Sequence, residues 1–158
     1  MVLRKLILTL LTILGLSLVA GPVALAGNGA VSETTTSHGA TETFTDVLPC
    51  VGGALYQITI TYNQVDHLTT LPNGTVHVTF TQTGTFEAVP VADPSLPSYT
   101  GHFTIWGGFN GNQKNAASTF TFTIKGTGSD GSRIDFHETA HFNTSATGLV
   151  VEFDKISC

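Results

Sequence analysis

The chain reads as all-β: a single antiparallel up-and-down β-barrel of seven or eight strands, with a two-sheet β-sandwich as the alternative. Three observations carry that expectation. Apolar and polar residues alternate with period two through most of residues 41–158, which sends successive side chains to opposite faces of a strand. Thr, Val, Ile and Phe fill those stretches, and they suit a pleated, half-buried surface. Turn chemistry recurs between the stretches, and no amphipathic helical period is visible beyond residue 26.

The chain opens on a different kind of segment. Arg4 and Lys5 precede an apolar run from Leu6 to Ala20, ended by Gly21-Pro22 and followed by the small-x-small pattern Ala24-Leu25-Ala26. This is the pattern of a secretory signal peptide over residues 1–26. The run is shorter than the about 20 apolar residues that span a bilayer, so no membrane span is expected after cleavage. Residues 27–40 are small and polar with no apolar period, and read as a flexible leader. The barrel domain is expected over 41–158, and the protein is expected to be secreted.

Within that domain Tyr56, Ile58, Ile60 and Tyr62 alternate with Gln57, Thr59, Thr61 and Asn63. Val76, Val78 and Phe80 alternate with His77, Thr79 and Thr81, and the strand is long enough to run to Val89 with a kink at Gly84. Phe103 and Ile105 alternate with His102, Thr104 and Trp106, and Phe120, Phe122 and Ile124 with Thr119, Thr121 and Thr123. Ile134, Phe136, Ala140 and Phe142 share one parity, and Leu149, Val151 and Phe153 close the series. Pro72-Asn73-Gly74 and Ser129-Asp130-Gly131-Ser132 are hairpin turns. Pro90 to Pro97 is a loop, the Gly- and Asn-rich stretch from Gly107 to Ala116 reads as a longer one, and Gly148 turns the chain into the last strand. Long strands joined by tight hairpins favour a closed barrel, which removes exposed edges.

Charge excludes some partners. Loss of Arg4 and Lys5 leaves four basic residues against eleven acidic ones. Phosphate neutralisation needs clustered Lys and Arg, so no nucleic acid is expected as a partner, and anionic lipid is not attracted either. Cys50 and Cys158 are the only cysteines, and in an oxidising compartment they are expected to pair. The closed loop spans about 108 residues, for which the chain-entropy account gives roughly 4–5 kcal/mol.

His137-Glu138-Thr139-Ala140-His141 matches the H-E-x-x-H pattern that binds zinc when it lies on a helix. Its flanks continue the period-two alternation. In a strand the two imidazoles stand roughly 13 Å apart, too far to share a metal whose bonds are about 2 Å long. No metal and no cofactor are therefore expected. Glu138 shares its parity with Ile134, Phe136, Ala140 and Phe142, which aims a carboxylate at the apolar face. It either pairs there or at the barrel rim, or it lines a cavity as a ligand contact or an acid with a raised pKa. His77, His102, His137 and His141 lie on the Thr-rich faces, as does Trp106, the only tryptophan. Beside Gly107-Gly108, Trp106 either stacks on a ligand or caps the core. Glu138, Trp106 and His102 are the ligand-binding candidates.

Tyr99-Thr100-Gly101-His102-Phe103 running into Gly108-Phe109-Asn110, Gly128 to Arg133 running into Phe136-His137-Glu138, and Phe153-Asp154-Lys155 before Cys158 together resemble small exported proteins of Gram-positive bacteria. The resemblance implies export and brings no activity with it. In architecture the chain is similar to lipocalin-like and allene-oxide-cyclase-like barrels, an analogy of fold that carries no function. The reading is an exported β-barrel that binds a small or surface ligand. Two alternatives stand beside it: a hydrolase or isomerase using Glu138 with a nearby His, and a structural protein of the envelope surface. Oligomeric state stays open.

Overall fold

A computed structural model describes residues 29–112, 114–145 and 148–158; the expected signal peptide lies outside them. Seven strands follow one another: β1 (Val31–Val47), β2 (Leu55–Thr70), β3 (Val76–Pro90), β4 (Tyr99–Gly111), β5 (Asn115–Gly128), β6 (Arg133–Ser145) and β7 (Gly148–Ser157). Each pairs antiparallel with the next, in a single sheet of order β1-β2-β3-β4-β5-β6-β7. The expected all-β, up-and-down architecture is thus present as one sheet rather than a two-sheet sandwich.

The sheet buries one face by curling on itself. Tyr56, Ile58, Ile60, Phe86, Phe103, Ile124, Ile134 and Phe136 all lie on that inner face and are buried. Cys50, just after β1, and Cys158, just after β7, form the expected disulfide, with their Cα atoms 5.7 Å apart. In a flat sheet β1 and β7 would stand roughly 29 Å apart, six strand spacings, so the bond measures how far the sheet has curled. Closure is not completed by hydrogen bonds: β1 and β7 do not pair among the described residues. Glycine replaces an inward side chain where β4 and β5 come close together. A Cβ on Gly101 would lie 2.1 Å from the Lys125 carbonyl oxygen on β5, so no other residue fits at that approach.

The two hairpin turns share one design. Gly74 and Gly131 take positive φ, and the amide preceding each by three residues closes the ladder: Leu71 N donates to Thr75 O and Gly128 N to Ser132 O, both at 2.8 Å. Asn73 and Asp130 each accept the amide two residues on through Oδ1, at 3.0 and 2.9 Å. Tyr56 and Tyr99 meet edge-on at 5.9 Å, as do Phe122 and Phe136 at 5.7 Å.

Two expectations need correction. The segment 27–40 is not a leader throughout, because residues 31–40 belong to β1. Val31–Ser37 pairs with Gln64–Thr70, and hydroxyl contacts such as Ser32 Oγ to Thr69 Oγ1 at 2.9 Å take the place of apolar ones. An edge strand exposed on both faces shows no alternation. The stretch from Gly107 to Ala116 is not a long loop either: β4 runs to Gly111 and β5 begins at Asn115. Gly107 sits in the strand because a Cβ there would meet Thr119 O at 2.7 Å and the Phe80 ring at 2.8 Å. β3, by contrast, runs unbroken through Gly84 as expected.

Candidate functional site

Alternation along each strand divides the candidate residues between two faces. Glu138 on β6 is inward, whereas Trp106 and His102 on β4 are outward. The three candidates therefore do not form one site.

On the outer face, Trp106 stands between Thr81 of β3 and Thr121 of β5, and is 52% exposed. Next to it the side chain is missing at Gly108, which lies in register with Thr79 and Thr119. The gap forms a groove of about 390 Å³ whose walls include Thr79, Thr81, Trp106, Asn110, Thr119 and His141. His141 is held in place: its Nδ1 hydrogen-bonds with Thr119 Oγ1 at 2.6 Å, and Asn143 Nδ2 donates to its Nε2 at 2.9 Å. A second groove, of about 740 Å³, takes in Thr85, His102, Lys125, Thr127, Arg133 and Asp135. Its Lys125–Asp135 pair, at 3.6 Å, is open to water and so of little energetic weight. Thr and Ser line up across the outer face from strand to strand, as in Thr41–Thr61 at 3.2 Å and Thr43–Thr59 at 3.0 Å.

His137 and His141 lie on this same outer face, and H-E-x-x-H is strand rather than helix. Each imidazole is engaged by the threonine across from it on β5, His137 Nδ1 with Thr123 Oγ1 at 3.1 Å. Among the described residues no three His, Cys, Asp or Glu side chains converge as metal ligands.

On the inner face, Glu138 is 2% exposed, between Phe122 of β5 and Ile156 of β7. Its Oε2 has no hydrogen-bond partner among the described residues. Burial, with the charge of Asp154 adding to it, pushes its pKa up to about 7. The Oε2 atom is thus bonded to no His or Tyr among the described residues.

A second set of inward polar groups escaped sequence reading. The Tyr62 hydroxyl donates to Glu42 Oε1, Gln82 Nε2 donates to Gln64 Oε1 at 3.4 Å, and Gln64 Nε2 donates to Asp66 Oδ2 at 2.7 Å. Burial and the Glu42 carboxylate raise the Tyr62 pKa to about 12. Burial likewise raises that of Asp66, against the bond from Gln64. The signal was available: the parity of Tyr56 to Tyr62 continues through Gln64 and Asp66, and that of Val76 to Phe80 through Gln82.

No protein-family model, curated protein or solved structure matches the chain.

Proposed function

We propose that the protein is an exported binding protein that takes a neutral, polyhydroxylated ligand, a glycan chain, on its outer face, with Trp106 as the stacking platform. The half-exposed indole beside the Gly108 groove carries this reading. A sugar ring offers an apolar C–H face and a rim of hydroxyls. An exposed indole covers the first, and fixed donors and acceptors match the second. Thr79, Thr81, Thr119 and Asn110 supply such groups around the groove, and His141, both of whose ring nitrogens are already bonded, holds Thr119 in place. All of them stand on paired strands, so little order is lost on binding. The disulfide is consistent with an extracellular location, and no helix among the described residues is long and apolar enough to cross a membrane.

Catalysis by Glu138 lacks comparable support, since no His or Tyr among the described residues hydrogen-bonds its buried Oε2. The single tryptophan makes the test direct. Titration of the mature protein with a panel of neutral oligosaccharides should quench or blue-shift its emission for at least one of them. On a glycan array Trp106→Ala should then lose at least about tenfold in affinity while its melting curve stays in place. A panel without any spectral response, or binding that survives Trp106→Ala, contradicts the proposal.

A further inference from the structure

We infer that the open seam between β1 and β7 receives an extended, cationic peptide segment of a partner protein as an eighth strand, antiparallel to both edges. Seven strands joined by antiparallel pairings leave β1 and β7 running in the same direction. Two such edges cannot close the sheet in the pattern used everywhere else in it. A strand running opposite to them satisfies both rows of unpaired amides and carbonyls at once and gives an even-numbered barrel.

The seam has a closed and an open end. The disulfide ties the residues that follow β1 and β7, so the C-terminal ends of the two strands are held together. Beyond that clasp no Cα of β1 comes within 8 Å of β7 among the described residues. An inserted strand needs two strand spacings, roughly 9.6 Å, so it would enter from the open end and stop short of the clasp. The inner face is uncovered along this line. Ile156 points inward from β7 yet is 52% exposed, while Glu138 beside it on β6 is sealed.

Charge specifies the occupant. Glu33, Glu42 and Asp46 of β1, Asp66 of β2, Glu138 of β6 and Asp154 of β7 all occupy inner-face positions. The inner positions of β3, β4 and β5 carry no charged residue, and no Lys or Arg occupies the inner face among the described residues. The carboxylates therefore flank the seam and face no cation of their own chain. Two of them are also left incomplete inside: Glu138 Oε2 and Asp66 Oδ1 have no hydrogen-bond partner among the described residues. A buried carboxylate without a partner is costly. A strand with Lys or Arg at alternate positions aims those cations at one face, toward the inner-face carboxylates carried by β1 and β7 themselves, while its backbone pairs with both edges.

The test uses the mature, disulfide-bonded protein and three labelled peptides of equal length: alternating Thr-Lys, alternating Thr-Glu, and Thr-Lys with alternate amides N-methylated. At about 0.15 M salt, fluorescence anisotropy should show the first binding at least tenfold more tightly than either of the others. Hydrogen exchange should show new protection confined to β1 and β7. Glu33→Gln and Asp154→Asn should each weaken Thr-Lys binding severalfold. Equal binding of the N-methylated peptide would reduce the seam to an acidic surface and overturn the inference. So would the absence of edge protection, or edges already protected in the free protein because a second copy occupies them. The N-methyl comparison uses the unaltered chain, so it decides the matter even if a variant fails to fold.

Discussion

The two faces of this sheet are made from the same strands by alternate residues, and they obey different rules. Along β2 the inner positions Tyr56, Ile58, Ile60 and Tyr62 are buried, while Gln57 and Thr61 between them stay exposed. The inner face is close-packed, so a change there is felt as a cavity or a clash. The outer face is a lattice of hydroxyls, most of them at least partly open to water, and the exposed ones are replaceable at small cost. Recognition is the more readily placed on the face that the fold does not need. The inner face is itself uneven: apolar over β3 to β5, and carboxylate-bearing toward the two edges.

Substitutions can break or sharpen this contrast, and the largest effect lies where the faces are held in their curl. Replacing Cys50 and Cys158 by Ser should cost about 4–5 kcal/mol by the chain-entropy account, read from urea unfolding, whose slope should also steepen as the denatured chain is freed to expand. Phe136→Ala, at a side chain 1% exposed, should cost about 3–5 kcal/mol. Gly101→Ala should cost on the order of 2–3 kcal/mol, because the new methyl meets a backbone carbonyl rather than a side chain that can turn away. Thermal unfolding of each variant supplies the comparison, and an outer-face control, Thr104→Ala, should stay within about 0.5 kcal/mol of the parent.

How much of this was legible in the sequence depended on burial. Strands β2, β3, β5 and β6 declared themselves because one face is apolar and the other Thr-rich, and the same parity pointed Glu138 inward. The Asn-Gly and Asp-Gly turns and the disulfide followed from local chemistry. The first half of β1 left no mark, since it packs against nothing and pairs through hydroxyls with Gln64–Thr70. The glycines of β4 imitate a loop because the reason for them, the close approach of β5 and of the Phe80 ring, is tertiary. Closure is likewise no local property: no residue pattern tells whether β7 meets β1. The polar chain from Tyr62 to Asp66 was readable by parity and hidden by its composition, which looks like an outer face.

A smaller effect, and one that separates the faces by pH, comes from Glu138. Folded, it keeps its proton to about pH 7, against an ordinary value of 4.5. The folded state therefore binds more protons than the unfolded one between those values. Stability is fully present below about pH 4.5, falls as pH rises toward 7, and levels off above it. The loss should be on the order of 2 kcal/mol, with Asp66 adding in the same direction. Glu138→Gln should flatten most of that slope and leave the protein more stable than the parent at pH 8. The smallest effect belongs to the outer face: Trp106→Ala should change stability by less than about 1 kcal/mol, however much it removes from glycan binding.

The division between faces is tested most directly by following the Glu138 side-chain carboxyl by NMR across a pH titration of the mature protein. The account predicts a midpoint near 7, set by burial on the inner face beside Asp154. A midpoint at the ordinary 4.5 would put Glu138 in water and reverse the parity of β6.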